Sequence, residues 1–310
     1  MEETDTKWMD DEAYTALAEA VYFCTRICGG RPVAGAVTVK AAAALDLHES
    51  VFRAMARILV ACGLMACDGG GFMLTEAHAA RQKGILDAVR RADAFEAFFA
   101  KAADEKHFFF DGISDLEYEI YARCNFPVTY AAGQAIASQI DLAGQNVLEL
   151  GGSSGGLGAA LTARFGGCAY TVVDTKIPCA VGRELNEGNR RLRFTEDDLF
   201  TLKRLKGKRD CIILMNVLHD FDDEKCLRIL RNATRYGHNK TVFVVVEDML
   251  TEEFAPREVL IHGLRLAVEC RGGRQRTAQE LAKMFSAVGY RMDRFVRLNA
   301  VHSMCVYKGC

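Results

Sequence analysis

Apolar positions in the first 140 residues follow a helical period. Residues 12–28 place Ala, Leu, Val and Phe on one face of a predicted helix, which ends at Gly29-Gly30-Arg31-Pro32. Val37–Leu45 reads as a short Ala-rich helix, Asp46–Glu49 as a turn and helix start, and Ser50–Cys62 as an amphipathic helix. Two apolar runs, Gly63–Cys67 and Gly71–Thr75, flank Asp68-Gly69-Gly70, the signature of a hairpin. Helices followed by a hairpin predict a winged helix. Residues 79–107 read as helical, charged on one face, and Phe126-Pro127 marks a helix boundary.

Beyond residue 140 the pattern changes. Short continuous apolar runs at Asn146–Leu150, Tyr170–Val173, Leu192–Thr195, Cys211–Leu218 and Thr241–Val246 predict strands buried on both faces. Helical stretches separate them, at Leu157–Phe165, Ala180–Gly188 and Glu224–Tyr236. Thr277 with Glu280 three positions later forms a capping box for a helix over 277–288. Arg291–Val296 and Ser303–Tyr307 read as two closing, antiparallel strands. Strand and helix alternate as in an α/β fold with a largely parallel sheet.

Composition narrows the function classes. Net charge is −2 over 310 residues, which argues against a dedicated nucleic-acid or anionic-membrane binder. The helix over 50–62 carries Arg53 and Arg57 but is otherwise mostly apolar, too thin in donors for reading a DNA groove and better suited to a buried interface between subunits. No apolar run reaches the roughly 20 residues that span a bilayer. The acidic, polar start differs from a secretory leader, so a cytoplasmic location is expected. The 12 cysteines are scattered without a Cys-x-x-Cys pair and read as reduced, mostly buried thiols, with Cys24 and Cys28 sharing one helical face. No metal site is expected.

The chemistry concentrates at Asn146–Gly158, an apolar strand that breaks into Gly151-Gly152-Ser153-Ser154-Gly155 and resumes as a helix. Such a turn lets a nucleotide approach the backbone. Asp174, about twenty residues on at a strand end, suits the ribose hydroxyls. Glu149 precedes the glycines, where a carboxylate repels a pyrophosphate but attracts a cation. That order favours S-adenosylmethionine over NAD. Asp197 and Asp198 follow a strand end and either meet the adenine amino group or serve as turn acids. His219 and Glu247 end neighbouring strands at the edge where ligands bind.

Val147–Gly155, the run Leu218-His219-Asp220-Phe221-Asp222-Asp223-Glu224 and the run Gly272-Gly273-Arg274-Gln275-Arg276-Thr277 together resemble the S-adenosylmethionine-dependent O-methyltransferases of the caffeic acid and hydroxyindole type. The resemblance implies a Rossmann-like class I methyltransferase sheet behind an N-terminal α-helical winged-helix dimerisation domain. It divides the chain into 1–95 for dimerisation, 96–140 as helical linker and substrate-pocket segment, and 141–310 as the cofactor-binding domain. It assigns Glu149, Gly151, Gly152, Ser153, Asp174, Asp198, Leu199 and Asn216 to the cofactor, which leaves as S-adenosylhomocysteine. His219 matches the general base and Glu247 one of two acids that bracket it. Phe109, Tyr121, Phe126, Asp220 and Gln275 are expected around the acceptor. Four positions depart from the family pattern: Ser153 replaces a glycine, Met215 a lysine, Phe221 a tryptophan and Gln275 the second acid.

The implied activity is methyl transfer to a hydroxyl, phenolic by preference, of a small molecule, by a homodimer without nucleic-acid or membrane partners. Transfer to nitrogen, sulfur or carbon on the same scaffold, or cofactor binding without transfer, are the alternatives.

Overall fold

A computed structural model describes residues 11–29, 35–68, 71–88, 92–104, 107–251 and 256–310. The predicted breaks at Gly30-Arg31-Pro32 and Gly69-Gly70 lie outside them. The chain forms two compact units: Met1–Asp111 with Leu250–Gln275, and Gly112–Met249 with Arg276–Cys310.

In chain order the first unit runs α1 (Asp11–Ile27), β1 (Gly35–Val37), α2 (Val39–Ala43), α3 (Glu49–Ala61), β2 (Met65–Asp68), β3 (Gly71–Leu74), α4 (Glu76–Ala88) and α5 (Ala92–Ala103), then a single turn α6 (Phe109–Gly112). The hairpin forms as expected, with Met65 opposite Leu74 and Asp68 opposite Gly71, and β1 adds on the far side of β3. The helical reading of 79–107 is met by two helices, α4 and α5. His48 caps α3, its Nδ1 accepting the Ser50 amide.

The second unit follows as α7 (Asp115–Ala137), β4 (Asn146–Leu150), α8 (Gly156–Arg164), β5 (Ala169–Asp174), α9 (Lys176–Leu185), β6 (Leu192–Glu196), β7 (Cys211–Met215), α10 (Asp223–Thr234) and β8 (Val242–Asp248). Then come α11 (Arg257–Glu269), which belongs to the first unit, and α12 (Ala278–Ser286), β9 (Tyr290–Arg297) and β10 (His302–Gly309) of the second. Its seven strands take the order β6-β5-β4-β7-β8-β10-β9. The first five are parallel, and β10 enters antiparallel between β8 and β9. One face buries Leu148, Leu150, Ile212, Leu214 and Phe243; the other buries Val147, Val172, Ile213 and Val244. Burial on both faces is why these strands read as unbroken apolar runs.

Three features depart from the sequence reading. The helix boundary at Pro127 does not occur, because α7 runs through it to Ala137. An interior proline costs about 3 kcal/mol. Against that stand a capping box at Ser114 and Glu117, worth about 1 kcal/mol, and complete burial of Ile136, worth about 1.5–3 kcal/mol. Close packing on α8 adds more: a Cβ on Gly133 would sit 2.7 Å from Ala160 Cβ, and one on Gly156 2.3 Å from the Phe126 carbonyl. Second, β7 stops at Met215 rather than Leu218, since Asn216 turns left-handed at φ 51° and Leu218–Asp220 form a 3-10 turn. Third, α11 was not anticipated. Val259, Leu260, Ile261, Leu264, Ala267 and Val268 are buried on it, and it packs on α1, α3 and α5. The apolar surplus of α3 is therefore covered by α1 and α11 of its own chain.

Candidate active site

The C-terminal ends of β4, β5, β7 and β8 carry most of the residues singled out from the sequence. After β4 the chain turns through Gly151 at φ 70°. A Cβ there would meet Val217 Cγ2 at 2.6 Å, so both conformation and space require glycine. Gly152 presses on Glu149, where an added Cβ would come within 2.5 Å of the carboxyl carbon. Ser153, the departure from glycine, adopts φ 50° all the same, and its amide donates to Asp174 Oδ2 at 2.7 Å. The Ser154 hydroxyl donates to the Ala122 carbonyl at 2.6 Å and ties the loop to α7.

Two acids face this loop. Glu149 is buried, its Oε2 makes no well-formed hydrogen bond, and burial pushes its carboxyl up to about 8 against the opposing pull of the nearby Tyr170 hydroxyl. Asp174 Oδ1 accepts the Thr175 amide at 2.7 Å; burial raises its pKa and these two amides oppose the rise. The Thr175 hydroxyl adds a long third hydrogen bond to Oδ1 at 3.4 Å; a carboxylate has about four lone-pair sites, so room for a hydroxyl donor remains chiefly on Oδ2. Asp197 acts as a turn acid, accepting the amides of Asp198, Lys203 and Arg204. Asp198 accepts the Phe200 amide at 2.8 Å, and Leu199 packs against the core beside the Gly151 turn.

The edge between β7 and β8 has the opposite character. His219 Nδ1 lies 2.9 Å from Glu247 Oε2, and Nε2 lies 3.5 Å from Asp220 Oδ1. Glu247 is itself fixed: its Oε1 accepts the amides of Val217 at 3.1 Å and Leu218 at 2.9 Å. Burial works to lower the His219 pKa, but the carboxylates of Glu247, Asp220 and Asp248 outweigh it and lift the imidazole to about 9. Next to this pair His302 Nε2 lies 3.2 Å from Asp248 Oδ1 and 3.4 Å from the side-chain Nδ2 of Asn216. The sequence offered His302 no comparable context, yet β10 delivers it opposite Asp248.

Of the acceptor-pocket residues, Tyr121 and Phe126 lie on α7 and Asp220 beside His219, all in the second unit. Tyr121 neighbours Tyr118, and Phe126 stacks on Tyr130. Phe109 and Gln275 belong to the first unit. Phe109 packs edge-on to Phe110 at 5.1 Å between ring centres. Gln275 is buried with an unpartnered Oε1 and lines a small cleft with Arg57 and Arg274. Of the charged residues on α7, Glu117 closes the helix cap, and Arg123 bridges Glu119 and Glu184. Phe221, in the place of tryptophan, packs edge-on to Phe200 at 5.2 Å.

Sequence reasoning passed over Arg276. It is buried and donates to the Leu218 carbonyl at 2.7 Å, the Phe221 carbonyl at 2.8 Å and Asp223 Oδ1 at 2.6 Å. The one available signal was a cation directly before the cap Thr277. Among the described residues no cluster of His, Cys, Asp and Glu is arranged to hold a metal, and no helix is long and apolar enough to cross a membrane.

Comparison with known proteins converges on one family. Residues 85–291 match the family model described as an O-methyltransferase domain. The chain is 29% identical over 163 residues to acetylserotonin O-methyltransferase of Gallus gallus, covering 51% of this chain and 46% of that protein. It is 28% identical over 214 residues to the Bos taurus enzyme of the same name, covering 68% and 57%. The aligned stretches thus span about half the length of these curated relatives. Its fold is similar to an O-methyltransferase family 2 protein of Planctomyces limnophilus in complex with apigenin, at TM-score 0.79 and 15% identity over 96% of this chain and 94% of that one. It is also similar to human N-acetylserotonin methyltransferase in complex with SAM, at TM-score 0.64 and 20% identity over 100% and 99%. The glycine loop between two acids, the histidine held against a fixed glutamate, the class I sheet and the family match agree: the chain belongs to the O-methyltransferase family, which uses S-adenosylmethionine as methyl donor.

Proposed function

We propose that this protein is an S-adenosylmethionine-dependent methyltransferase acting on a hydroxyl, phenolic by preference, of a small molecule, with His219 as general base. The observation that carries this is His219 Nδ1 held 2.9 Å from a glutamate that two backbone amides already fix.

The cofactor assignment rests on the residues present. Glu149 offers a buried carboxylate oxygen without a well-formed hydrogen bond, suited to an ammonium group. Asp174 would take the ribose, Asp198 and Leu199 the adenine, and Gly151, Gly152, Ser153 and Asn216 would line the remainder. S-adenosylmethionine supplies an electrophilic methyl group on a sulfonium leaving group. The protein's own work is then to hold an acceptor in line and to remove its proton. With Nδ1 facing Glu247, Nε2 is the atom that takes the proton. A histidine near 9 is mostly charged at neutral pH, but it matches a phenol with a pKa of about 10 closely, so the transfer itself is nearly balanced. Glu247 holds the ring orientation and stabilises the imidazolium that forms.

Several features of the whole protein belong to the same proposal. Tyr121, Phe126 and Asp220, all in the second unit, serve the acceptor. Residues 1–95 act as a winged-helix dimerisation domain, supported by the order α2, α3 and hairpin, and 96–140 as a linker before the cofactor domain at 141–310. All 12 cysteines carry free thiols, which supports a reducing, cytoplasmic setting.

The test is calorimetric titration with S-adenosylmethionine and with S-adenosylhomocysteine, followed by a panel of phenols, amines and thiols in a methyl-transfer assay. Micromolar binding of both and turnover confined to phenols are expected. Binding of neither would sink the cofactor assignment, and turnover of amines or thiols alone would sink the hydroxyl acceptor.

A further inference from the structure

The 3-10 turn Leu218–Asp220 has an unusual anchor. It presents His219, and its own hydrogen bonds are two long ones, Asp220 N–H to the Val217 carbonyl at 3.2 Å and Phe221 N–H to the Leu218 carbonyl at 3.3 Å. Cys226 Sγ adds a weak donor to the Leu218 carbonyl at 3.1 Å, and the stronger holds come from outside. On one side Glu247 accepts the amides of Val217 and Leu218. On the other, Arg276 donates Nη1 to the Leu218 carbonyl and Nη2 to the Phe221 carbonyl, so one guanidinium grips both flanks of His219-Asp220. The same fork reaches Asp223 Oδ1 in the first turn of α10 at 2.6 Å. The Arg276 side chain is 2% exposed, while Asp223 is 54% exposed. An arginine is rarely buried this deeply without a partner that needs its planar fork. Only one of its acceptors is charged and that one is solvated, so its charge stabilises little. Its geometry specifies the turn.

We propose that Arg276 is a positioning residue for His219: it clamps the two carbonyls of the turn so that Nδ1 stays against Glu247. This rests on the reading of His219 given above but does not require that His219 be the base. Arg276 touches no reacting atom. It acts through the backbone, as outer partners of a site commonly do. If the clamp is removed, the turn loosens on one side and the imidazole moves away from Glu247. The charged groups acting on His219 are Glu247 and Asp248 from β8 and Asp220 on the turn itself; His302 on β10 pairs with Asp248 at 3.2 Å, and Asp222, Asp223 and Arg276 gather instead around Cys226 on α10. Moving the ring away from the nearest of these acids lowers its proton affinity. Taking away the arginine's own positive charge acts in the opposite sense. The distance to Glu247 dominates because that contact is at 2.9 Å, whereas the guanidinium contacts carbonyls and Asp223 rather than the ring.

The experiment compares the full-length protein with Arg276→Lys and Arg276→Gln. His219 is followed by nuclear magnetic resonance titration of histidine-labelled protein, its signal identified by its loss in His219→Ala. The expected result is a fall of the His219 titration midpoint by about one pH unit in Arg276→Gln and by less in Arg276→Lys, which keeps the charge but not the fork. Turnover should fall on the order of 100-fold in Arg276→Gln, as a displaced catalytic group requires, with S-adenosylhomocysteine affinity within about threefold of wild type. A midpoint unchanged in both variants, or raised, would overturn the clamp even if thermal stability dropped. The midpoint is read without turnover, so an active His219→Ala would refute the base and leave the clamp standing or falling on its own measurement.

Discussion

The two halves of one sheet edge solve opposite electrostatic problems. Around the glycine loop, Glu149 is buried without a cation and is pushed up to about 8, and Asp174 is raised as well. Around the 3-10 turn, His219 has Glu247, Asp220 and Asp248 about it and is lifted to about 9. The first half has acids wanting positive charge. The second supplies its own. A site short of a cation is completed by its ligand, whereas a self-balanced dyad is complete before any ligand arrives. The first is therefore read by binding, the second by turnover.

The sharpest way to break this contrast is His219→Ala. Turnover is expected to fall by about 10²- to 10⁴-fold, the usual contribution of a general base, while calorimetry shows cofactor affinity nearly unchanged. Equal losses in both would mean the two halves are not separable. The next effect in size is Asp174→Ala, expected to weaken S-adenosylmethionine binding by roughly 10- to 100-fold, as loss of charge-assisted hydrogen bonds does. Unaltered affinity would refute the ribose role.

The smallest effect sharpens the comparison through pH. A glutamate at about 8 is mostly protonated at pH 6, and an ammonium group binds the ionised form. Affinity for S-adenosylhomocysteine should therefore rise as pH increases from 6 to 8, with proton release seen as buffer-dependent heats. Glu149→Gln should abolish that dependence; its persistence would place the titrating group elsewhere. The stability signs differ as well. Glu149, raised from 4.5, costs stability progressively as pH climbs from about 4.5 to 8 in the free protein. His219, raised from 6.5, contributes stability that is full below about 6.5 and lost as pH passes 9.

The cofactor half was the more legible of the two. Glu149, Gly151, Gly152 and Asp174 lie on one strand–loop–helix–strand unit, where spacing along the chain becomes spacing in space. Even there Ser153 shows that a φ of 50° does not need glycine when the amide is engaged by Asp174. The His219 half draws on residues 216–223, 247–248, 276 and 302, which sequence distance separates. Its motif named His219 and Glu247; nothing local marked His302, and Arg276 stood in the Gly272–Thr277 motif with no sign of the turn it would reach. Pro127 misled for a related reason: local propensity argues for a break, and packing of α7 on α8 overrides it.

Local physics, read from the chain by itself, determined the strands, their helices, the glycine turn and its acids, the capping box at Thr277 and the hairpin. Each is set by interactions within a few residues or by burial of a repeating pattern. Tertiary structure alone decided that α7 continues through a proline, that α11 packs with the helices of the first unit, and that β10 brings His302 to Asp248. It alone decided that a buried Arg276 grips the turn bearing His219. Those outcomes depend on contacts between distant segments, whose energies no local pattern encodes.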